Sequence, residues 1–378
     1  MIKTSNSIDN RTTKSLKKQL KKILQTQNTG CRFFKSRYNK EPFYDLMKRS
    51  TGFVIDKMKK TILPLILFSA CTSLKQKPEE VNDRGFLSFK GDLKIICPAS
   101  YRDILELRGL LKEFNNEILV CDGKVPFHAK DDSERFFDLK TALYGKEKIL
   151  WAYQGGYGTS RLLRYLEQIP MNRLPPEKMI VGYSDITALH LFVSKKWGWK
   201  TLHAPIFLDL ISTTKDSSNL DILFQILTKK ALKWSLPNLT ALNEKAKTTH
   251  EVKGVVTGGN LTMIIRSLKT SWEMEGENKI VFIEDVGEKG YRIDRNLDHL
   301  KESGVLEGAK AIVFGDMQTQ AQDEHIDFAL KRFAEKIQTP VFKTDQFGHG
   351  EHNIPVLYNA ESVIEDGQMT FYFTKALS

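Results

Sequence analysis

From Phe89 onward, short apolar runs alternate with longer stretches of helical spacing. This alternation predicts an α/β fold with parallel strands joined by helices. Leu93–Cys97 reads as a strand ending at Pro98-Ala99-Ser100, Ile104–Phe114 as a helix, and Glu117–Cys121 as the next strand. Ser133–Tyr144 follows as a helix, then Lys148–Tyr153 as a strand running into Gln154-Gly155-Gly156-Tyr157-Gly158. Ser160–Glu167 is helical, Lys178–Gly182 is a strand and Thr187–Lys196 is a helix. Residues 209–252 are weakly patterned, and the Ser/Thr/Asn/Asp cluster at Ser212–Asn219 reads as a linker or surface excursion. A second block then brings a strand at Val252–Val256 and Gly258-Gly259-Asn260 opening a helix. Lys279–Ile283 is a strand, Arg295–Ser303 a helix, Ala311–Phe314 a strand, Ile326–Lys336 a helix and Phe371–Phe373 a last short strand. The expectation is two α/β domains, residues 89–208 and residues 253–378, joined through residues 209–252.

Composition alters this picture chiefly at the start of the chain. The 378 residues hold 57 Lys+Arg and 46 Asp+Glu, a net charge of +11 that would suggest a nucleic-acid or anionic-membrane partner. Residues 1–57 carry 14 of those basic residues and 4 of the acidic ones, which leaves residues 58–378 at +1. The basicity belongs to a leader, and the body offers no electrostatic footprint for nucleic acid. Residues 1–57 read as a disordered basic tail with a short amphipathic stretch at Ser15–Leu24, or as an untranslated segment if synthesis starts at Met58. A mitochondrial-type transit peptide is the competing account of so basic a start.

Met58-Lys59-Lys60 is a short positive region, residues 61–68 are apolar, and Ser69-Ala70-Cys71 closes the run. This arrangement resembles a bacterial lipoprotein signal over residues 58–70, with Cys71 as the lipidated residue and residues 71–88 as a polar tether. The apolar run is far short of the ~20 residues that span a bilayer. The reading places the protein in the cell envelope, held to a membrane through Cys71 and facing the periplasm; a cytoplasmic location is the alternative.

Four stretches of the body carry candidate chemistry, each at the end of an expected strand, where α/β folds place ligand sites. Gly155-Gly156-Tyr157-Gly158 lets the backbone approach a ligand and present N–H groups, or is a tight turn. Val181-Gly182-Tyr183-Ser184-Asp185 has the strand, sharp turn and helix of a nucleophile elbow, although Ser184 is equally an N-cap candidate. Glu284-Asp285-Val286-Gly287-Glu288 offers three carboxylates to orient a histidine. Gly348-His349-Gly350-Glu351-His352 puts His349 on a glycine-flanked loop, with His352 as its substitute. The two histidines and Glu351 lack the spacing and helix of a zinc-protease motif. A serine, a histidine and a carboxylate supply what hydrolysis by a hydroxyl needs: a base to take the proton and an anion to hold the base's tautomer. Backbone N–H groups of Asp185 and of the Gly155-Gly156 loop are candidates for holding the oxyanion.

Taken in order, these stretches resemble the LD-carboxypeptidase family of serine peptidases, which includes murein tetrapeptide carboxypeptidase and the microcin C immunity peptidase. The resemblance also covers Lys90-Gly91-Asp92, Pro98-Ala99-Ser100, Asp132-Ser133-Glu134-Arg135, Gly258-Gly259-Asn260-Leu261 and Tyr291-Arg292-Ile293-Asp294-Arg295. It implies an N-terminal α/β domain and a smaller C-terminal domain, with the active site at their interface. Ser184 would be the nucleophile, His349 the base and Glu284 its partner. On the residues themselves, Gly156 and Asp185 are candidates for the oxyanion, and Arg292 and Arg295 are either candidates for a substrate carboxylate or residues of a helix cap or interface salt bridge.

The implied reaction is metal-free and cofactor-free removal of the terminal D-alanine from murein tetrapeptide. Hydrolysis of peptidyl or aminoacyl adenylates is the alternative, for which Trp272 would be a stacking platform. A non-catalytic envelope protein binding peptidoglycan peptides is the alternative from another class. Family members commonly act as homodimers. Three positions depart from the family pattern: Gln154 in place of Arg, Gly290 in place of Pro, and Gln346 in place of Pro.

Overall fold

The computed structural model describes residues 91–101, 125–211, 216–318 and 325–373, all within one compact unit, Gln76–Ser378. The leader, the signal-like run with Cys71, the tether, and the expected elements at Ile104–Phe114 and Glu117–Cys121 lie outside the described residues.

In chain order the first elements are β1 (Leu93–Ile96), α1 (Asp132–Tyr144), β2 (Ile149–Ala152), α2 (Leu163–Leu166), β3 (Met179–Gly182), α3 (Thr187–Trp197), β4 (Leu202–His203) and α4 (Ser218–Leu227). Next come β5 (Lys233–Leu236), β6 (Thr240–Ala241), α5 (Glu244–Thr248), β7 (Glu251–Asn260), α6 (Leu261–Ser267) and β8 (Lys279–Val286). The chain continues through α7 (Gly290–Glu302), β9 (Ala311–Gln318), α8 (His325–Glu335), β10 (Val341–Gly348), β11 (Val356–Leu357), β12 (Glu361–Glu365) and β13 (Gln368–Tyr372).

Two sheets result, and the fold is α/β as the alternating pattern predicts. The first has the order β1-β2-β3-β4-β11, parallel from β1 to β4. Its strands β2 and β3 are buried at every position, as parallel strands covered on both faces must be. The second has the order β5-β13-β12-β7-β8-β9-β10-β6, with a parallel centre of β7 to β10 and antiparallel strands at both edges. The chain returns to the first sheet late, when β11 pairs antiparallel with β4.

Local chemistry explains the element ends. Asp131 caps α1 by accepting from the Glu134 N–H at 2.9 Å, and Asn260 caps α6 by accepting from Met263 N–H at 3.2 Å. Residues 209–252, weakly patterned in sequence, hold α4, β5, β6 and α5. Leu220, Leu223 and Phe224 are buried there at helical spacing, among Ser and Asn residues that mask the period. The β12–β13 hairpin turns at Asp366-Gly367, both at positive φ (48° and 70°), as a two-residue Asp-Gly connection requires.

β7 and β8 approach each other with unusual closeness at Gly258. A Cβ there would stand 2.7 Å from the Phe282 nitrogen and closer still to its carbonyl oxygen, at a φ of +135°. Only glycine lets β7 lie in register against the strand that carries Glu284.

Candidate active site

β3 is a buried apolar strand that ends at Gly182, where a Cβ would stand 2.9 Å from that of Ala152. The chain then turns through Tyr183 into a single 3-10 turn, Ser184–Ile186, which runs directly into α3. Ser184 has φ = +65°, a left-handed conformation that costs a non-glycine residue roughly 1–2 kcal/mol. It caps neither helical segment with its side chain. The sharp strand-to-helix turn therefore presents the hydroxyl away from the backbone groups that an N-cap would engage.

The glycine loop after β2 packs against this turn. A Cβ on Gly155 would stand 3.0 Å from Ser184 Cβ and 3.1 Å from its Oγ. Gly156 has φ = +102° and Gly158 φ = +129°, so the loop follows a path that side chains resist. Ser100, just after β1, fastens it: its N–H donates to Gly155 O at 3.2 Å, and its Oγ accepts from Tyr157 N–H at 3.1 Å while donating to Phe127 O at 2.6 Å. Arg135, only 1% exposed, donates to the carbonyls of Pro98, Gly158 (3.0 Å) and Lys130 (3.2 Å) and to Asp132 Oδ1 (2.6 Å).

The Asp185 carboxylate accepts from Thr159 N–H at 2.8 Å, joining the far end of the loop to the Ser184 turn. Burial raises the Asp185 pKa, against the Thr159 hydrogen bonds that lower it. Gly156 and Asp185 are thus both built into the backbone around Ser184. Gln154 Oε1 is buried there without a hydrogen-bond partner among the described residues.

The second sheet supplies the acid–base pair. Glu284 sits on β8 with no side-chain exposure, and its Oε2 lies 2.6 Å from His349 Nδ1. His349 follows β10 at Gly348, whose φ is +118° and whose Cβ would stand 3.2 Å from that of Glu284. Burial alone would raise the Glu284 pKa; the charge and hydrogen bond of His349, with His203 and Asn260 nearby, hold it below its ordinary value. An ionised carboxylate only accepts, so the Nδ1 that faces it carries a proton, and in the neutral imidazole Nε2 is then the nitrogen with the free lone pair. The Tyr183 ring lies against the imidazole, with centroids 4.6 Å apart at 56°. The residue before Ser184 therefore touches His349 across the two sheets.

The competing candidates are engaged elsewhere. Asp285, one residue beyond Glu284 where the β8–β9 register shifts, accepts from Asn260 Nδ2 (3.0 Å), Thr262 N–H (3.0 Å), Thr262 Oγ1 (2.9 Å) and Val286 N–H (2.8 Å). His352 Nδ1 lies 3.5 Å from Asp216 Oδ2. Glu288 pairs with Arg292 at 3.2 Å. Arg292 and Arg295 line a cavity of about 360 Å³ between α6 and α7, together with Arg266, Glu288 and Tyr291. No contact joins Arg292 to Ser184, Glu284 or His349 among the described residues. Trp272 is 6% exposed and packs in the core.

Sequence reasoning singled out Ser184, Glu284 and His349 as candidates but gave no role to Tyr183, Ser100 or Arg135. Ser100 and Arg135 each lie in a short motif at an element end, Pro98-Ala99-Ser100 and Asp132-Ser133-Glu134-Arg135, which was the available signal. Tyr183 showed none, because an aromatic residue before a turn reads as core.

Residues 93–204 match the profile of the LD-carboxypeptidase N-terminal domain, and residues 253–364 match that of its C-terminal domain. The chain belongs to the LD-carboxypeptidase family. A Rickettsia conorii member is 41% identical over 279 residues, covering 72% of this chain and 87% of that protein. The murein tetrapeptide carboxypeptidase of Pseudomonas aeruginosa is 26% identical over 305 residues, covering 76% and 97%. Among solved structures, the muramoyltetrapeptide carboxypeptidase from Oxalobacter formigenes aligns with TM-score 0.61 and 26% identity over 74% of this chain and 97% of that one. The microcin C7 self immunity protein shares the fold at TM-score 0.63 and 19% identity, over 76% and 98%. The LD-carboxypeptidases are peptidases, and carboxypeptidase chemistry is the activity this membership supports.

Burial, and then the Glu284 charge, push the Asp285 pKa up to about 6. An unfolded Asp ionises near 3.9, so the folded chain holds a proton that the unfolded chain has already lost. Stability from this group is therefore fully present below about pH 4 and is lost as pH rises to about 6. Asp285→Asn should remove that falling slope, measured as the pH dependence of the denaturant midpoint between pH 4 and 6. An unchanged slope would contradict the placement of the titration at Asp285.

Proposed function

We propose that this chain is a serine-type, metal-independent LD-carboxypeptidase that removes the terminal D-alanine from murein tetrapeptide, cutting between an L-centre and a D-residue. The observation that carries the reading is the 2.6 Å Glu284–His349 hydrogen bond, with His349 packed on the residue that precedes Ser184. Glu284 holds the Nδ1–H tautomer, and His349 Nε2 takes the Ser184 proton as Oγ attacks the scissile carbonyl. The N–H of Asp185 and an N–H of the Gly155-Gly156 loop stabilise the oxyanion. Collapse of the tetrahedral adduct breaks the C–N bond, His349 gives its proton to the departing D-alanine amine, and water repeats the cycle on the acyl-serine. A cation is still needed for the substrate's terminal carboxylate, and the Arg292 and Arg295 groove is our candidate source.

With the full-length chain and murein tetrapeptide, Ser184→Ala, His349→Ala and Glu284→Gln should each lower kcat for D-alanine release by at least about 10³-fold. The double variants should be little worse than the singles, because the three groups act as a unit. Ser184→Ala with activity within tenfold of the parent would sink the nucleophile; a parent that releases nothing from murein peptides would sink the substrate.

We also propose export as a lipoprotein, on the strength of the Lys59-Lys60, apolar, Ser69-Ala70-Cys71 order. Mass spectrometry of the mature protein from bacterial cells should find lipidated Cys71 at its N-terminus. A mature chain that retains residues 58–70 would contradict it.

A further inference from the structure

We propose that Tyr183 is a positioning residue that sets the His349 imidazole relative to Ser184. The proposal rests on the triad reading and adds to it the element that ties its two halves together.

Ser184 comes from the first sheet, whereas Glu284 and His349 come from the second. The Glu284 hydrogen bond fixes one ring nitrogen of His349 but leaves the imidazole free to swing about that bond. Tyr183 removes this freedom. Its ring is 5% exposed and rests on the His349 ring at 4.6 Å. Behind it stand the buried rings of His203 at 5.8 Å from Tyr183, and of Phe282 and Phe347 around His203 in turn. Its hydroxyl is hydrogen-bonded to Asp209, whose carboxylate also accepts from Ile206 N–H at 3.1 Å. The phenol is therefore held both by the rings packed around it and at its tip.

Tyr183 is also the extended residue (φ −145°, ψ −171°) that leads into Ser184 at φ = +65°. One residue thus shares a peptide bond with the nucleophile and a ring contact with the base. A swing of the imidazole toward Tyr183 has to displace a buried, packed ring. The tilted ring contact does the holding, so the hydroxyl contributes only by anchoring the ring through Asp209.

The test compares the full-length parent with Tyr183→Phe and Tyr183→Leu, using D-alanine release from murein tetrapeptide. Tyr183→Leu should lower kcat by about 10²-fold, the scale of a 1 Å misplacement, with KM within about threefold. Tyr183→Phe, which keeps the ring, should recover most of that loss. A KM-only effect, a Tyr183→Leu enzyme with parental kcat, or a Tyr183→Phe enzyme as poor as Tyr183→Leu would each overturn the proposal.

A second readout is independent of turnover. In protein carrying ¹³C-labelled histidine, the His349 Hε1 resonance (assigned with His349→Gln) should carry the ring-current shift of a facing phenol. The shift should persist in Tyr183→Phe and vanish in Tyr183→Leu, with Tyr183→Met replacing Leu if that variant does not fold. No ring-current shift in the parent overturns the proposal. If the parent fails to cleave the tetrapeptide, the substrate reading fails, and this resonance alone decides the role of Tyr183.

Discussion

A carboxylate with no exposed surface has to be matched by a partner, because stripping it of water without compensation costs several kcal/mol. Glu284 is that carboxylate, and His349 matches it at 2.6 Å. Much of the surrounding structure can be read as what brings these two groups together. Gly258 lets β7 lie tight against β8, which carries Glu284. Gly348, at the end of β10, brings the His349 loop within contact of the Glu284 Cβ. The low dielectric that makes Glu284 costly alone also strengthens its hold on the imidazole.

Polar contacts cross the seam between the sheets. Thr187, at the head of α3, accepts from Asn260 N–H at 3.1 Å and faces Gly259. Tyr358 donates to Gly258 O at 2.8 Å and stacks on His190 at 4.8 Å. His190 in turn reaches Thr201 Oγ1 at 2.8 Å and Gly182 O at 2.9 Å, the carbonyl just before the Tyr183-Ser184 turn. Full burial lowers the His190 pKa to about 3, so this histidine is a neutral strut and takes no part in titration near neutral pH. The pairing of β11 with β4 brings the chain that follows the His349 loop back onto the sheet that bears Ser184.

The sequence was most legible where one local rule decided the outcome. Buried parallel strands are continuous apolar runs, and β1, β2, β3 and β8 fall where those runs are. The glycine turns at Gly155-Gly156 and Gly182 stand at strand ends because close backbone approach leaves no room for a Cβ. Choosing among Glu284, Asp285 and Glu288 was beyond local rules, since it depends on which face of β8 meets the His349 loop. The same holds for His349 against His352, which lie three positions apart and contact different carboxylates. β10 and β12 escaped, and β13 was read only at its Phe371 end, because these strands mix polar residues with apolar ones, although the Asp366-Gly367 turn was a usable signal. Tyr183 illustrates the remaining gap: its part in the site comes from a ring contact across 166 positions of chain, which no local pattern encodes.

The central claim is that the Ser184 hydroxyl is activated by a Glu284-held His349. The most direct test is to react the full-length protein with a fluorophosphonate and locate the adduct by tandem mass spectrometry. The account predicts one adduct, on Ser184, forming at least about 10³-fold more slowly in His349→Ala and Glu284→Gln. An adduct on another hydroxyl such as Ser100, or labelling of Ser184 at the parental rate without His349, would contradict it.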